Sequence, residues 1–197
     1  MFENVILKRI LKDYTSVRFD RNSSYHLSYP EFLKYFKNCH LIDKHSLTIG
    51  LHFTYGWMPT VFDFRTGDME SILSIVNKVR NQGWINFSDA SALKKYFNGS
   101  LVGTSKLLHF LSPEAFPIWD SRVYRYVYEE SPHFYRVDNV ERYLEYSEVC
   151  RAVTKHSDFV MVHNYVISEL YSVSPIRALE LIMYEKGARH SQLGNGT

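Results

Sequence analysis

Apolar residues recur at intervals of three and four positions along almost the whole sequence, and this pattern constrains the fold more than any other feature. Its first example is Val5, Ile6, Ile10 and Leu11, which predict a first amphipathic helix. Alternation of apolar and polar residues, which is typical of a half-buried strand, is weak, and residues 60–65 are the one strand candidate. The sequence therefore predicts an all-α fold.

Turn and capping residues divide this pattern into successive helices. A capping box formed by Ser28 and Glu31, with Pro30 in the first turn, predicts the start of the second helix. Ser88 is predicted to cap the fifth helix, which ends at residues 98–99. The other predicted helices cover residues 43–57, 69–83, 104–111 and 121–128, two stretches between 140 and 171, and 174–187.

The composition favours one folded domain in a reducing compartment. Of 197 residues, 45% are hydrophobic, which predicts one helical domain over residues 1–187 and a disordered tail over 188–197. Cys39 and Cys150 are too few for a disulfide scaffold or a four-thiolate iron–sulfur cluster. No long apolar run occurs and charges interrupt the N-terminal segment, so we expect a cytoplasmic protein with no membrane partner. We also expect a monomer without a cofactor or a metal.

A tight hairpin is predicted between the fifth and sixth helices. Gly99 and Gly103 bracket it, and the sixth helix is predicted to begin at Thr104. The unpaired amide groups and the positive dipole end of a helix start form a site for a phosphate. Gly99, Gly103, Thr104 and Ser105 are therefore predicted to bind a DNA backbone. The net charge of +2 means that such binding depends on a local patch.

Lys106, the extended stretch 116–119 and Asp120 follow this hairpin in an order that resembles the helix-hairpin-helix DNA glycosylase superfamily. The resemblance covers residues 98–127, and residues 116–125 are most similar to the adenine-mismatch branch. It implies a helical bundle with two lobes around a cleft and Lys106 and Asp120 as catalytic residues. Two features depart from the family: one hairpin glycine is missing or displaced, and the interval from Lys106 to Asp120 is shorter. The alignment is therefore ambiguous, and either Lys106 or Ser105 could occupy the position of the family's catalytic lysine.

These residue types suit the cleavage of an N-glycosidic bond. Positive charge builds on the sugar as the bond breaks, and the carboxylate of Asp120 would stabilise that charge. A neutral Lys106 amine would attack the sugar carbon and form a Schiff base, which permits strand cleavage. If Ser105 holds the position instead, the enzyme would excise the base without this lyase step, and Lys106 would contact a phosphate.

Four further side chains complete the predicted site. Tyr55 and Trp57 are predicted to form a base pocket, and Arg122 and Arg125 to hold phosphates. The sequence thus predicts a DNA glycosylase that flips and excises a damaged, mismatched or modified base, glucosylated cytosine among them, in DNA repair or antiviral defence. The alternatives are a non-catalytic hairpin protein that binds DNA, and a helical interaction or toxin-type protein without nucleic acid.

Overall fold

A computed structural model of the chain describes residues 2–63 and 68–189. Within these ranges it contains eleven α-helices, one short 3₁₀ turn at Tyr14–Ser16 and no strand, which confirms the all-α prediction. The helices are α1 Phe2–Asp13, α2 Ser24–Asn38, α3 Lys44–Gly56, α4 Met69–Gln82, α5 Phe87–Tyr96, α6 Leu101–Leu111, α7 Ser121–Tyr128, α8 Phe134–Val137, α9 Val140–Thr154, α10 Phe159–Glu169 and α11 Pro175–Arg189. None of these described helices is long and apolar enough to cross a membrane.

The chain divides into two compact units. The central unit is Asn22–Phe116 and holds α2 to α6. The split unit combines the described residues of Met1–Arg21 and Pro117–Thr197, and it holds α1 and α7 to α11. Helix α11 continues to Arg189, past the predicted domain end at residue 187, and residues 190–197 of the predicted tail lie outside the described residues.

Several helix ends lie where the local sequence predicts them. Asp43 caps α3, and its carboxylate accepts a hydrogen bond of 2.8 Å from the Ser46 amide. Gly83 ends α4 in a left-handed conformation with φ of +68°. Asp120 caps α7, which spans the predicted residues. These signals are reliable because a cap forms with partners only a few positions away.

Three helix starts differ from the prediction. Helix α2 is capped by Ser23, so the predicted capping box at Ser28 is wrong, and the helix passes through Pro30. Helix α5 is capped by Asn86 and not by Ser88. Helix α6 begins at Leu101, three residues before the predicted start.

Two smaller differences concern loops. Of the strand candidate, residues 60–63 are irregular, and residues 64–65 lie outside the described residues. Helix α8 was not predicted from the sequence.

The core of the central unit is aromatic. Phe36, Tyr55 and Phe97 are fully buried, and Phe36 lies against α3 at Gly50. A Cβ atom on Gly50 would lie 2.2 Å from the Phe36 ring, so the glycine permits this close approach. In the split unit, α7 packs on α11 at Gly187, where a Cβ atom would lie 2.0 Å from the carbonyl oxygen of Arg122.

Candidate functional site

The segment that leads to Asp120 is held by buried side chains of the split unit. Trp119 is fully buried, and its Nε1 donates to the Val137 carbonyl over 2.7 Å. The hydroxyl groups of Tyr143 and Tyr146 donate to the carbonyls of residues 117 and 118 over 3.4 and 3.2 Å. Burial raises the pKa of both tyrosines, so both hydroxyls stay protonated as donors. The position of Asp120 is therefore fixed by bonds to the backbone just before it.

Asp120 is half-buried, and its carboxylate lies at the start of α7. One oxygen, Oδ1, accepts bonds of 2.9 Å from the amides of Arg122 and Val123, which confirms that this residue is the cap of α7. The side chain can thus stabilise a nearby positive charge while it caps the helix.

The surroundings of Asp120 include a tyrosine and a buried ion pair from α11. Burial raises the pKa of Tyr184, and the negative charges of Asp120 and Glu180 act in the same direction. Glu180 is 1% exposed and forms an ion pair with the buried Arg177 in the same helix. Sequence reasoning missed this pair. Its one sequence signal was a pair of opposite charges three positions apart in the apolar first half of the helix.

The two predicted phosphate contacts of α7 have different environments. Arg122 is exposed, and its guanidinium lies 4.5 Å from the centre of the Tyr184 ring. Arg125 is half-buried, and its Nη1 donates to the Gly187 carbonyl over 2.7 Å. Both guanidinium groups keep further N–H donors for a ligand, because a guanidinium has five. Their role in DNA binding stays a prediction.

The structure corrects the predicted phosphate site at the start of α6. The amide of Gly103 donates to the Ser100 hydroxyl over 3.1 Å, and the amide of Thr104 donates to the Ser100 carbonyl over 3.0 Å. Thr104 and Ser105 are fully buried, and the Ser105 hydroxyl donates to the Val102 carbonyl over 2.9 Å. These amides already have acceptors, so the predicted cradle around residues 103–105 is wrong in this structure.

The two hairpin glycines serve different structural purposes. Gly99 has φ of +66° and open space around its Cα, so the turn itself requires a glycine there. Gly103 lies against Tyr55, and a Cβ atom would lie 2.4 Å from the Tyr55 hydroxyl oxygen. Tyr55 is 1% exposed, and its hydroxyl donates to the Phe97 carbonyl over 2.6 Å. The prediction that Tyr55 lines a base pocket is therefore wrong, because the ring is part of the core.

Lys106 and Trp57 come together in the central unit. Both are half-buried, and the Lys106 Nζ lies 5.1 Å from the centre of the Trp57 ring. The indole also meets the rings of Tyr25 and Phe110, with centroids 5.5 and 5.3 Å away. We call Tyr25, Tyr29, Phe32, Trp57 and Phe110 the Trp57 cluster. Because Tyr25 is 43% exposed, the cluster presents an aromatic surface beside an amine.

A buried histidine lies behind the Trp57 cluster. The Nδ1 atom of His109 lies 2.6 Å from the Phe116 carbonyl oxygen, and its Nε2 lies 2.7 Å from the Tyr29 hydroxyl. A carbonyl only accepts, so Nδ1 carries a proton, and in the neutral ring Nε2 accepts from Tyr29. His109 thus joins α2 to the end of the central unit. Sequence reasoning missed it, because nothing local distinguishes a buried histidine in an apolar helix.

The predicted catalytic residues belong to different units: Lys106 to the central unit and Asp120 to the split unit. In residues 2–63 and 68–189, no three side chains of His, Cys, Asp or Glu are grouped so that they could hold a metal ion. Cys150 is buried and Cys39 is half-buried, and both are free thiols. No protein-family model, no curated protein and no solved structure matches this chain.

Proposed function

We propose that the protein is a DNA N-glycosylase that excises a damaged, mismatched or modified base, a glucosylated cytosine among the candidates. The observation that supports this proposal best is the half-buried amine of Lys106 beside the partly exposed Trp57 cluster. Aromatic rings stack on a flipped base, and an amine can attack the sugar that carries it. The order of hairpin, extended segment and Asp120 cap agrees with the helix-hairpin-helix glycosylases that the sequence resembles.

The surroundings of Ser105 and Lys106 favour the lysine as the nucleophile. Ser105 is fully buried, and its hydroxyl already donates to a backbone carbonyl. Lys106 is half-buried and next to an aromatic surface. The proposed reaction begins with a neutral Lys106 amine, which forms a bond to the sugar C1′ as the bond to the base breaks. The base leaves with a proton, the nitrogen loses its extra protons, and the sugar ring opens at the C1′–O4′ bond, with O4′ taking up a proton. The Schiff base formed in this way gives the enzyme lyase activity.

The proposal assigns an electrostatic role to Asp120. Its ionised carboxylate would stabilise the positive charge that develops on the sugar, and removal of one such group costs about a hundred- to a thousandfold in rate. Asparagine can also cap a helix, so Asp120→Asn should lower the free energy of unfolding by about 1 kcal/mol or less. Activity and stability should therefore respond differently to this substitution.

The test is incubation of the full chain with duplexes that carry a panel of modified and mismatched bases. Alkali then reveals abasic sites, and borohydride traps a Schiff base. Lys106→Gln should abolish both excision and trapping, while Lys44→Gln, at an exposed lysine of the same unit, should leave both unchanged. Asp120→Asn should lose excision, while Asp43→Asn, at the matching cap of α3, should keep it.

Three results would contradict the proposal or part of it. Full excision by Asp120→Asn on any substrate would refute the role of the carboxylate. Binding of duplex without excision of any base in the panel would favour the non-catalytic hairpin protein. Excision by Lys106→Gln, with no trapped complex even in the wild type, would instead assign the reaction to a monofunctional enzyme.

A further inference from the structure

A polar pocket of about 620 Å³ lies in the split unit, where the C-terminal turns of α1 and α7 come together. Its charged lining consists of Arg9, Lys12 and Asp13 from α1, Arg125 from α7, and Glu129 and Glu130 from the segment that follows. None of these residues has a catalytic role in the proposed excision. The volume lies in the range of pockets that hold small molecules.

Each carboxylate that lines the pocket already has a cationic partner. Glu129 pairs with Arg9 over 2.7 Å, and Asp13 pairs with Lys186 over 3.3 Å. Asp13 also accepts a bond of 3.0 Å from the Tyr126 hydroxyl. Glu130, the third carboxylate of the lining, is paired as well. None of the three carboxylates is therefore available to neutralise another cation.

Glu130 is the most heavily paired of the three. It lies 3.0 Å from Arg136 and 3.7 Å from Arg142, and it accepts a bond of 2.8 Å from the Tyr124 hydroxyl. These partners lie outside the lining and bring two further positive charges to the pocket.

Lys12 and Arg125 remain without a carboxylate partner within 4.0 Å among residues 2–63 and 68–189. Lys12 is exposed, and Arg125 uses one N–H group on the Gly187 carbonyl. The lining and its partners carry six cations against three carboxylates. The two helix C-termini each contribute about half a negative charge, which leaves an excess of about two positive charges.

We propose that this pocket binds a phosphate group through Lys12 and Arg125. An excess of about two positive charges suits a phosphomonoester, which carries about −1.5 to −2 at pH 7. A guanidinium presents several N–H donors to phosphate oxygens, and a lysine adds a mobile point charge. The phosphate belongs either to a nucleotide or to a nucleic-acid strand. Only the strand form rests on the proposed function.

The test measures binding of two probes to the full chain: deoxyadenosine 5′-monophosphate by calorimetry and a fluorescein-labelled duplex by anisotropy. Lys12→Gln and Arg125→Gln should each weaken binding of the cognate probe by about tenfold, the usual effect of one charge-assisted hydrogen bond. Lys8→Gln, an exposed lysine of α1 outside the lining, is the matched control and should change neither affinity. Since Lys12 is exposed, its replacement should not perturb folding even if that of Arg125 does.

The outcomes separate the two sources of the phosphate. A loss of mononucleotide affinity in Lys12→Gln identifies a nucleotide pocket. A loss of duplex affinity alone, with a salt slope shallower by about 0.9, identifies one contact to a strand. Equal affinities of Lys12→Gln and Lys8→Gln for both probes would overturn the proposal. The binding assay is independent of base excision. A protein that excises no base can still bind phosphate in this pocket, and a protein that excises a base can lack this phosphate site.

Discussion

Replacement of Gly103 by alanine tests whether this glycine serves packing or ligand binding. In the structure, a Cβ atom on Gly103 would lie 2.4 Å from the hydroxyl oxygen of Tyr55 and 2.6 Å from its Cζ. Both distances are far below van der Waals contact, so the ring or the helix must move. The ring cannot withdraw freely, because its hydroxyl donates to the buried Phe97 carbonyl over 2.6 Å.

The expected size of the effect follows from three contributions. Alanine is favoured over glycine in a helix by up to about 1 kcal/mol. Insertion of a methyl group into a packed core costs about 1–3 kcal/mol, and loss of the bond from Tyr55 to Phe97 would cost about 1–3 kcal/mol more. Packing therefore outweighs propensity, and Gly103→Ala should lower the free energy of unfolding by about 1–5 kcal/mol, depending on whether the bond from Tyr55 is lost.

The assay is urea denaturation, with Gly99→Ala and a Tyr55→Phe background as comparisons. Gly99 has open space around it, so Gly99→Ala should cost about 1 kcal/mol through its positive φ alone. In Tyr55→Phe the ring is no longer tied to Phe97, so Gly103→Ala should cost about 1 kcal/mol less there. An unchanged or higher stability of Gly103→Ala, together with weaker DNA binding, would refute the packing argument and restore the phosphate site.

Three further predictions concern other parts of the molecule. Gly187→Ala should destabilise the split unit by about 3 kcal/mol, measured by urea denaturation, because its Cβ would meet the backbone carbonyl of Arg122 at 2.0 Å and a backbone cannot rotate away. Hydrogen bonds from Ser46 lower the pKa of Asp43 in the folded chain, so this contribution to stability is present above about pH 4 and is lost as the pH falls through the lowered pKa. The urea midpoint of the wild type should therefore fall more steeply below pH 4 than that of Asp43→Asn, and parallel curves would contradict the assignment. Burial raises the pKa of the Cys150 thiol, so native protein should not be labelled there by a thiol reagent until it unfolds, which mass spectrometry of the labelled peptides would show.

Local sequence signals predicted the helix ends that depend on one nearby residue. Asp43, Gly83 and Asp120 were each the one strong candidate in their segment, and each lies where expected. The predicted start of α2 at Ser28 was wrong: the helix begins at Ser24 with Ser23 as its cap, and it includes the buried residues His26 and Tyr29.

Whether each candidate site residue is buried depends on contacts with residues that are distant in the sequence. Tyr55 and Trp57 are separated by one residue at the same helix end, yet Tyr55 belongs to the core and Trp57 belongs to the partly exposed Trp57 cluster. The difference arises because the Tyr55 hydroxyl meets the Phe97 carbonyl, 42 positions away. No local pattern distinguishes the two rings.

The sequence by itself determined the all-α class, the order of hairpin, extended segment and capped helix, and the cap at Asp120, since periodicity and caps act over three or four positions. The tertiary structure decided that Gly103 serves packing, that Lys106 lies beside Trp57, and that Lys12 and Arg125 share a pocket. These outcomes depend on contacts such as that of Arg9 with Glu129, 120 positions apart, which form only when the whole chain has packed.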